Sequence, residues 1–428
     1  MTIQKAIEEQ KRTFADWVYN AEESEIRRLL KYNVKYYFGG GKPGVLPIET
    51  FHQILLEIIS EEKDLLQKKL DSVLINYNYG KTQGSDELRE VLANRMNRKE
   101  EISCSKEDIV ITTGSQQMLY AINDILINPG DIILTTRPTY LGFLMPAQKL
   151  GAKIVTLPSD ENGLLPEYLD IAINLCEIKF GKRPKILYLV PYSDNPKGTT
   201  LSENRKKQIL DKMLPHKDIL IVEDAAYKEI QFYGEKYSPL KKYDTENDKI
   251  VYISTTTKEA ASFRVGYSVL PADINENIVK VKGFYDLCTP EYVQKIVAKY
   301  YEKHIDHQIP AIREEYKKRR DAMVKAVEEH MPRGLFTKPT GGFFVWYETE
   351  NKNFNSKAFM KEAIKNEVIY VPGYQFFPSN GFAITEEGKL ESFKVPSNTM
   401  RLGYSLLNPT NIIKGIEILG NLLKNELR

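Results

Sequence analysis

Cysteine is nearly absent. Cys104, Cys176 and Cys288 are the three in 428 residues, and they lie far apart. That excludes a disulfide scaffold and any C-x-x-C metal spacing, and it fits a reducing, cytoplasmic setting. Histidine is sparse too. Of five, only His304 and His307 stand at a helical i,i+3 spacing, with no cysteine or third histidine near them in sequence, so no metal centre is expected. Neither sign of charge dominates: 60 basic residues meet 58 acidic ones, for a net charge of +2. No electrostatic footprint for nucleic acid or an anionic membrane follows from that balance. The opening MTIQKAIEEQKRTFADW is charged and lacks the apolar centre of a signal peptide or membrane span. What is there, 42% hydrophobic and 28% charged residues, is the composition of a globular protein. The length suits two or three domains of about 150 residues.

Residues 1–32 read as two helices, one from Ile7, Phe14, Trp17 and Val18, the other from Ile26, Leu29 and Leu30 after Ser24. The stretch 34–47, VKYYFGGGKPGVLP, is extended and then glycine-rich, and Pro47 opens the helix IETFHQILLEII. From about 105, strands and helices alternate. Expected strands are IVITT (109–113), DIILTT (131–136), KIVTL (153–157), KILYLVP (185–191), DILIVE (218–223), IVYIST (250–255) and RVGYSVL (264–270). Most are nearly continuous Ile, Val and Leu runs, as in a sheet covered by helices on both faces. The fold class is therefore α/β, with a doubly wound, mostly parallel seven-stranded sheet. Beyond it, Thr289 and Pro290 are expected to be the N-cap and N1 of the helix EYVQKIVAKYYEKH. A long helix at 310–330, a strand in GGFFVWYE (341–348) and a loop at 379–398 follow. The final helix carries Ile412, Ile413, Ile416, Leu419, Leu422 and Leu423 on one face. This tail reads as a smaller α+β domain.

Chemistry concentrates at strand ends. TTGSQQ (112–117) joins a strand to a helix; Gly114 allows a tight turn that sets the amides of Ser115 and Gln116 at a helix N-terminus. The same pattern also makes an ordinary capped helix. Tyr140, in RPTY, can stack on a flat ring or simply pack. Asn195, in SDNPKG, is held out of regular structure by Pro196, either as a polar arm or as a plain Asn-Pro turn. Asp224, in EDAAY, ends a buried strand where the ligand crevice of an α/β sheet lies. Lys258 comes 34 residues later in STTTKEAASFRVGY, with the hydroxyls of Thr255 and Thr257 before it and the fork of Arg264 after it. Alone, it reads as readily as a surface lysine. Arg401, in NTMRLGYS, stands in an apolar strand-like run and needs a partner, a substrate carboxylate or a structural salt bridge. Gly39-x-Gly41-x-x-Gly44 matches a dinucleotide fingerprint literally. No second strand follows within the ~30 residues of a βαβ unit, and Pro43 and Pro47 interrupt the turn, so it reads as a substrate-side loop.

Taken in order, these motifs resemble the class I/II aminotransferases of pyridoxal-phosphate (PLP) fold type I, in the branch of kynurenine/α-aminoadipate and broad-specificity enzymes, over about 36–425. The resemblance implies PLP on Lys258 as a Schiff base, with Lys258 also the proton shuttle. It implies Asp224 opposite the pyridine nitrogen, Tyr227 and Asn195 on the ring oxygen, and Tyr140 on the ring face. Ser115, Gln116, Thr255, Thr257 and Arg264 would hold the phosphate. Tyr79, in YNYGKTQG, would reach the phosphate of a neighbouring subunit in a homodimer. Arg401 would bind the substrate α-carboxylate beside Asn195 and Gly40, in the loop of Gly39 to Gly41. Catalysis would rest on Lys258, Asp224 and Tyr227. The implied division is an N-terminal arm and loop (1–47), a large PLP-binding domain (48–288) and a small C-terminal domain (289–428). The chain departs from the family in three places. Lys258 and Arg264 are six residues apart, where seven or eight is usual; Ala261 and Ser262 replace a Pro-Gly; and Lys197 stands where N-P-x-G commonly has Thr or Ser.

The expected reaction is a ping-pong transfer of an amino group from an L-amino acid to a 2-oxo acid, in a cytoplasmic enzyme of amino acid metabolism. The alternative is other chemistry on the same cofactor: a β/γ-lyase, decarboxylase, cyclase or oxidase, as in specialised biosynthesis. A PLP-binding transcription regulator is a further rival, but it needs a DNA-binding domain and basic charge for which the first 33 residues leave no room. Aromatic residues around FGGGKPG and PGYQFFP (372–378) point to an apolar or aromatic side-chain pocket, though core packing accounts for them as well.

Overall fold

Ile, Val and Leu runs become strands because they can bury both faces, and the computed structural model shows where each face goes. It describes residues 13–20, 25–68, 71–233 and 237–427. The seven expected strands are β1 (Ile109–Thr113), β2 (Ile132–Thr136), β3 (Lys153–Leu157), β4 (Pro184–Leu189), β5 (Leu220–Asp224), β6 (Ile250–Thr255) and β7 (Val265–Val269). Alternate residues divide between two cores. Ile132, Leu134, Leu187 and Ile221 pack on one face, and Ile133, Ile186, Val222 and Val251 on the other. Such two-sided burial is what a continuous apolar run permits and an alternating one forbids.

In the tail, β8 (Gly334–Phe336), β9 (Phe344–Thr349), β10 (Val371–Pro372), β11 (Phe382–Ile384), β12 (Leu390–Ser392) and β13 (Thr399–Gly403) follow. The large sheet has the order β12-β11-β3-β2-β4-β5-β6-β7-β1. From β11 to β6 neighbours run parallel, whereas β7 is antiparallel to both β6 and β1. The reversal of β7 matters for function. It brings the start of β7 to the sheet edge where β1, β5 and β6 end. The smaller sheet, β8-β9-β13-β10, is antiparallel.

The helices that position the site are α1 (Ile48–Lys68), α2 (Asp86–Arg95), α3 (Ser115–Leu126), α4 (Leu141–Lys149), α5 (Glu291–Lys303), α6 (Ile305–His330), α7 (Ser356–Lys365) and α8 (Pro409–Glu426). The tail core gathers Met323 and Val327 of α6, Phe359 of α7 and Ile412, Ile416, Leu419 and Leu423 of α8. Tyr36 and Phe38 join it, and Tyr36–Tyr37 pair with Val368–Ile369. The glycine-rich loop is thereby anchored to the tail. No described helix is long and apolar enough to cross a membrane.

Several local expectations need correcting. The stretch 379–398 is not all loop: β11 and β12 form a hairpin that extends the sheet from seven strands to nine. Three-residue strands have no readable period; pairing with β3 and the packing of Phe382 on Phe180, centroids 5.0 Å apart, create them. Pro290, not Thr289, is the N-cap of α5, and the buried Thr289 hydroxyl has no hydrogen-bond partner among the described residues. The long helix starts at Ile305 and carries Pro310 inside it, because Ile305 and Ile309 are buried. Ile413 is 37% exposed and so does not share the core face of α8. At the N-terminus, Asp16–Asn20 and Glu25–Leu29 are helical, but Phe14, Trp17 and Val18 are exposed. Ile7 lies outside the described residues.

Candidate active site

At the end of β1, Gly114 takes φ +73°, and α3 begins at Ser115. The register of β7 sets Val265 opposite Thr113, so Arg264 falls beside Gly114. Its Nη2 lies 2.5 Å from the point where a Cβ on Gly114 would stand. On β7 itself, a Cβ on Gly266 would come within 2.5 Å of the Ser115 nitrogen. Two glycines thus clear a cradle formed by helix N-terminal amides and a guanidinium, which suits a phosphate. Arg264 makes no hydrogen bond or ion pair among the described residues, so its donors are available. The six-residue spacing from Lys258 is spanned by a 3-10 turn at Ala261–Phe263 and by Arg264 itself at φ +53°.

The remaining cradle residues are partly engaged with one another. Thr255 Oγ1 accepts from the Thr257 amide at 3.2 Å and lies 3.1 Å from both Thr257 Oγ1 and the Val265 carbonyl oxygen. The Gln116 side chain turns to the Gly142 carbonyl (2.6 Å) and accepts from Tyr140 Oη (3.1 Å). Gln116 therefore offers the cradle its backbone and uses its side chain to fix Tyr140. Lys197 bonds Ser159 Oγ at 3.1 Å.

Behind the cradle, β5 delivers Asp224, 3% exposed. Its Oδ2 accepts from Tyr188 Oη at 2.9 Å and its Oδ1 from the Ala226 amide at 3.2 Å. Burial pushes the carboxyl pKa up, while the Tyr188 and Ala226 bonds and the Lys258 charge pull it down. Tyr188 was not foreseen. Its signal was a phenol inside the apolar run ILYL, a group that must find a partner when buried.

Lys258 Nζ sits 4.4 Å from the centre of the Tyr227 ring and 5.9 Å from that of Phe343. It has no hydrogen bond or ion pair among the described residues. Burial lowers its pKa, against the opposing pull of Tyr140 and Asp224. Tyr140 is pushed up to about 12 by burial, so it stays a neutral phenol. Tyr227 is also raised by burial.

Across the crevice, β13 supplies Arg401, 1% exposed. Its Nη1 donates to Asn195 Oδ1 at 2.7 Å and its Nη2 to the Gly39 carbonyl at 3.1 Å. The guanidinium carbon lies 4.0 Å from the centre of the Phe344 ring and 4.9 Å from that of Phe376. No carboxylate pairs with it among the described residues, and Nε is buried without a partner. Burial lowers its pKa to about 10, which leaves it a cation at neutral pH. Such a group has the form of a carboxylate site waiting for its ligand. The structural salt bridge left open by the sequence is absent among the described residues. Gly41 completes the loop: a Cβ there would meet Phe344 at 2.8 Å and stand 3.8 Å from Tyr227 Oη.

The structure brings together every anticipated residue except Tyr79, which is 79% exposed. Phe344, Phe376 and Tyr37 were missed as individuals; they look like core aromatics until Arg401 is placed among them. The donor set fits PLP: a cationic cradle for a phosphate, a buried carboxylate for a ring nitrogen, and a free amine between them.

Known proteins share this sequence pattern and this fold. The sequence profile of the family described as "Aminotransferase class I and II" matches residues 47–388. Aromatic-amino-acid aminotransferase 1 of Thermococcus litoralis is 36% identical over 422 residues, 97% of this chain and 95% of that protein. The crystal structure of Pyrococcus horikoshii kynurenine aminotransferase aligns with TM-score 0.85 at 32% identity, covering 99% of this chain and 100% of that one. The structure of LysN, the α-aminoadipate aminotransferase of Thermus thermophilus, complexed with N-(5'-phosphopyridoxyl)-L-leucine, aligns with TM-score 0.82 at 26% identity, covering 100% and 99%.

Proposed function

The chain belongs to the class I and II aminotransferase family, and from that premise we propose how its residues divide the work and which substrates it takes. It is a PLP-dependent transaminase that moves an amino group from an amino acid to a 2-oxo acid. The observation that carries the assignment of roles is Lys258: an amine without hydrogen bond or ion pair among the described residues, held by burial below its usual pKa, near the Asp224 carboxylate and the Arg264 cradle.

When bound, PLP supplies an electron-withdrawing ring that stabilises negative charge at the substrate Cα. Arg264, the amides at Ser115 and Gln116, and the hydroxyls of Thr255 and Thr257 would hold its phosphate. Asp224, positioned by Tyr188, would face the ring nitrogen. Tyr227 and Asn195 would donate to the ring oxygen, and Tyr140 would cover the ring face. Arg401 grips the α-carboxylate and, with Gly40 at its side, turns the Cα–H bond toward Lys258. Burial lowers the pKa of Lys258, which favours the neutral amine that would take the Cα proton and return it on the other side of the reaction. The names of its relatives favour an aromatic or apolar side chain.

A homodimer completes the site. Tyr79 is exposed in the single chain, as are Leu56, Ile59 and Leu66 along α1, and a second copy would cover them. The divisions 1–47, 48–288 and 289–428 serve as arm, cofactor domain and tail, with the β11–β12 hairpin tying the tail to the large sheet. Free Cys104, Cys176 and Cys288 accord with a cytoplasmic enzyme.

The visible spectrum tests this. The bound-cofactor band should bleach with aromatic or apolar amino acids and return on adding a 2-oxo acid. Lys258→Ala should lose turnover by about 10²- to 10⁴-fold. Release of ammonia or carbon dioxide in place of stoichiometric oxo acid would move the reaction to the lyase or decarboxylase alternative.

A further inference from the structure

Two buried polar groups at the glycine loop have no hydrogen-bond partner among the described residues. One is Arg401 Nε; the other is Tyr37 Oη, which is shut off from solvent and has no hydrogen-bond partner among the described residues. Both belong to groups that flank Gly39. Tyr37 Oη lies 3.5 Å from where a Cβ on Gly39 would stand, and the Gly39 carbonyl accepts from Arg401 Nη2 at 3.1 Å. The Tyr37 ring is packed on the glycine loop, so a ligand oxygen reaches its hydroxyl through a movement of that loop. The ring carbons lie 3.4 Å from the Cβ position of Gly39 and 3.1 Å from that of Gly40, and the backbone is paired through the register Tyr37–Ile369. A phenol buried without a partner is unfavourable unless a ligand supplies one. No described protein group supplies it, and the nearby Arg401 cation already selects a carboxylate.

We propose that Tyr37 is a second recognition group for the substrate carboxylate, its hydroxyl donating to an oxygen that Arg401 also holds. The proposal rests on the reading of Arg401 as the α-carboxylate site. Anchoring by both a cation and a neutral donor fixes the orientation of the carboxylate as well as its charge, and so sets where the Cα proton points.

The test uses Tyr37→Phe as holoenzyme, with calorimetric titration of propionate, glutarate and 3-phenylpropionate, none of which can be transaminated. For each acid that the wild type binds, Kd should rise about ten- to a hundredfold, the range for one hydrogen bond to a charged group. KM for the amino acid should rise with it, by more than kcat falls. The thermal midpoint without ligand should stay level or rise, since an unpaired hydroxyl has been removed. Unchanged Kd values overturn the proposal. So does a raised Kd with a lowered midpoint, which would make the hydroxyl part of the fold. If the wild type binds none of the three acids, the Arg401 reading fails and Tyr37 falls with it; wild-type binding matched by the variant sinks Tyr37 alone.

Discussion

Glu259 shows how a single residue's environment reverses its usual behaviour. It follows Lys258 in sequence, yet it is 1% exposed and its Oε2 has no hydrogen-bond partner among the described residues. Burial, reinforced by the nearby Glu229, raises its pKa to about 8, against 4.5 for a free side chain. Between those values the unfolded chain has lost the proton that the native state keeps. Unfolding then releases a proton, so this group's contribution to stability falls as pH rises from about 4.5 through 8. Glu259→Gln, neutral at every pH, should remove that fall. Melting curves of the two proteins should separate progressively between pH 5 and pH 8, the variant being the more stable at the upper end. Parallel curves would show that Glu259 is ionised in the folded protein. Residues of this kind are invisible in sequence. KEAAS reads as a helix-friendly, solvent-facing run, and only the packing of Tyr300, Arg95 and Glu229 around it makes Glu259 a buried acid.

At the scale of elements, the cradle depends on how closely the start of β7 can approach the start of α3. Gly266 is the contact: a methyl group there would press on the backbone of Gly114 and Ser115, atoms that cannot rotate aside. Gly266→Ala should therefore cost about 1–3 kcal/mol of stability, typical of overpacking. It should also weaken PLP, because relief of the clash moves the α3 amides away from Arg264. Thermal melts with and without cofactor, and a fluorescence titration of PLP, would read both effects. Normal affinity in the variant would mean that the α3 amides do not hold the phosphate. The individual strands were legible because each is a five- or six-residue apolar run with a turn signal at its end. The antiparallel direction of β7 was not, since a strand's direction leaves no mark in its own composition. Yet that direction is what places Arg264, six residues from Lys258, at Gly114.

The whole molecule holds one anticipated group outside the assembled site. Tyr79 is exposed while Arg264, Asp224, Lys258 and Arg401 converge elsewhere. If a second copy brings its Tyr79 to the cradle, sedimentation should give about twice the 49.3 kDa chain mass. Tyr79→Phe should then lower PLP affinity about tenfold without dissociating the dimer. A monomer that binds PLP at full strength would remove Tyr79 from the site. By itself, the sequence determined the α/β class, seven strands, the order of the motifs and the chemical kind of each site residue. Those follow from local properties: apolar runs, turn residues, and side-chain types that do particular chemistry. The tertiary structure alone decided that Arg401 has no carboxylate partner among the described residues, that Tyr188 holds Asp224, that Tyr37 is left unpaired, and that the 379–398 stretch adds two strands to the sheet edge. Each of these depends on groups tens to hundreds of residues apart meeting in a low-dielectric interior. There, the presence or absence of one partner sets a group's protonation and its readiness to bind.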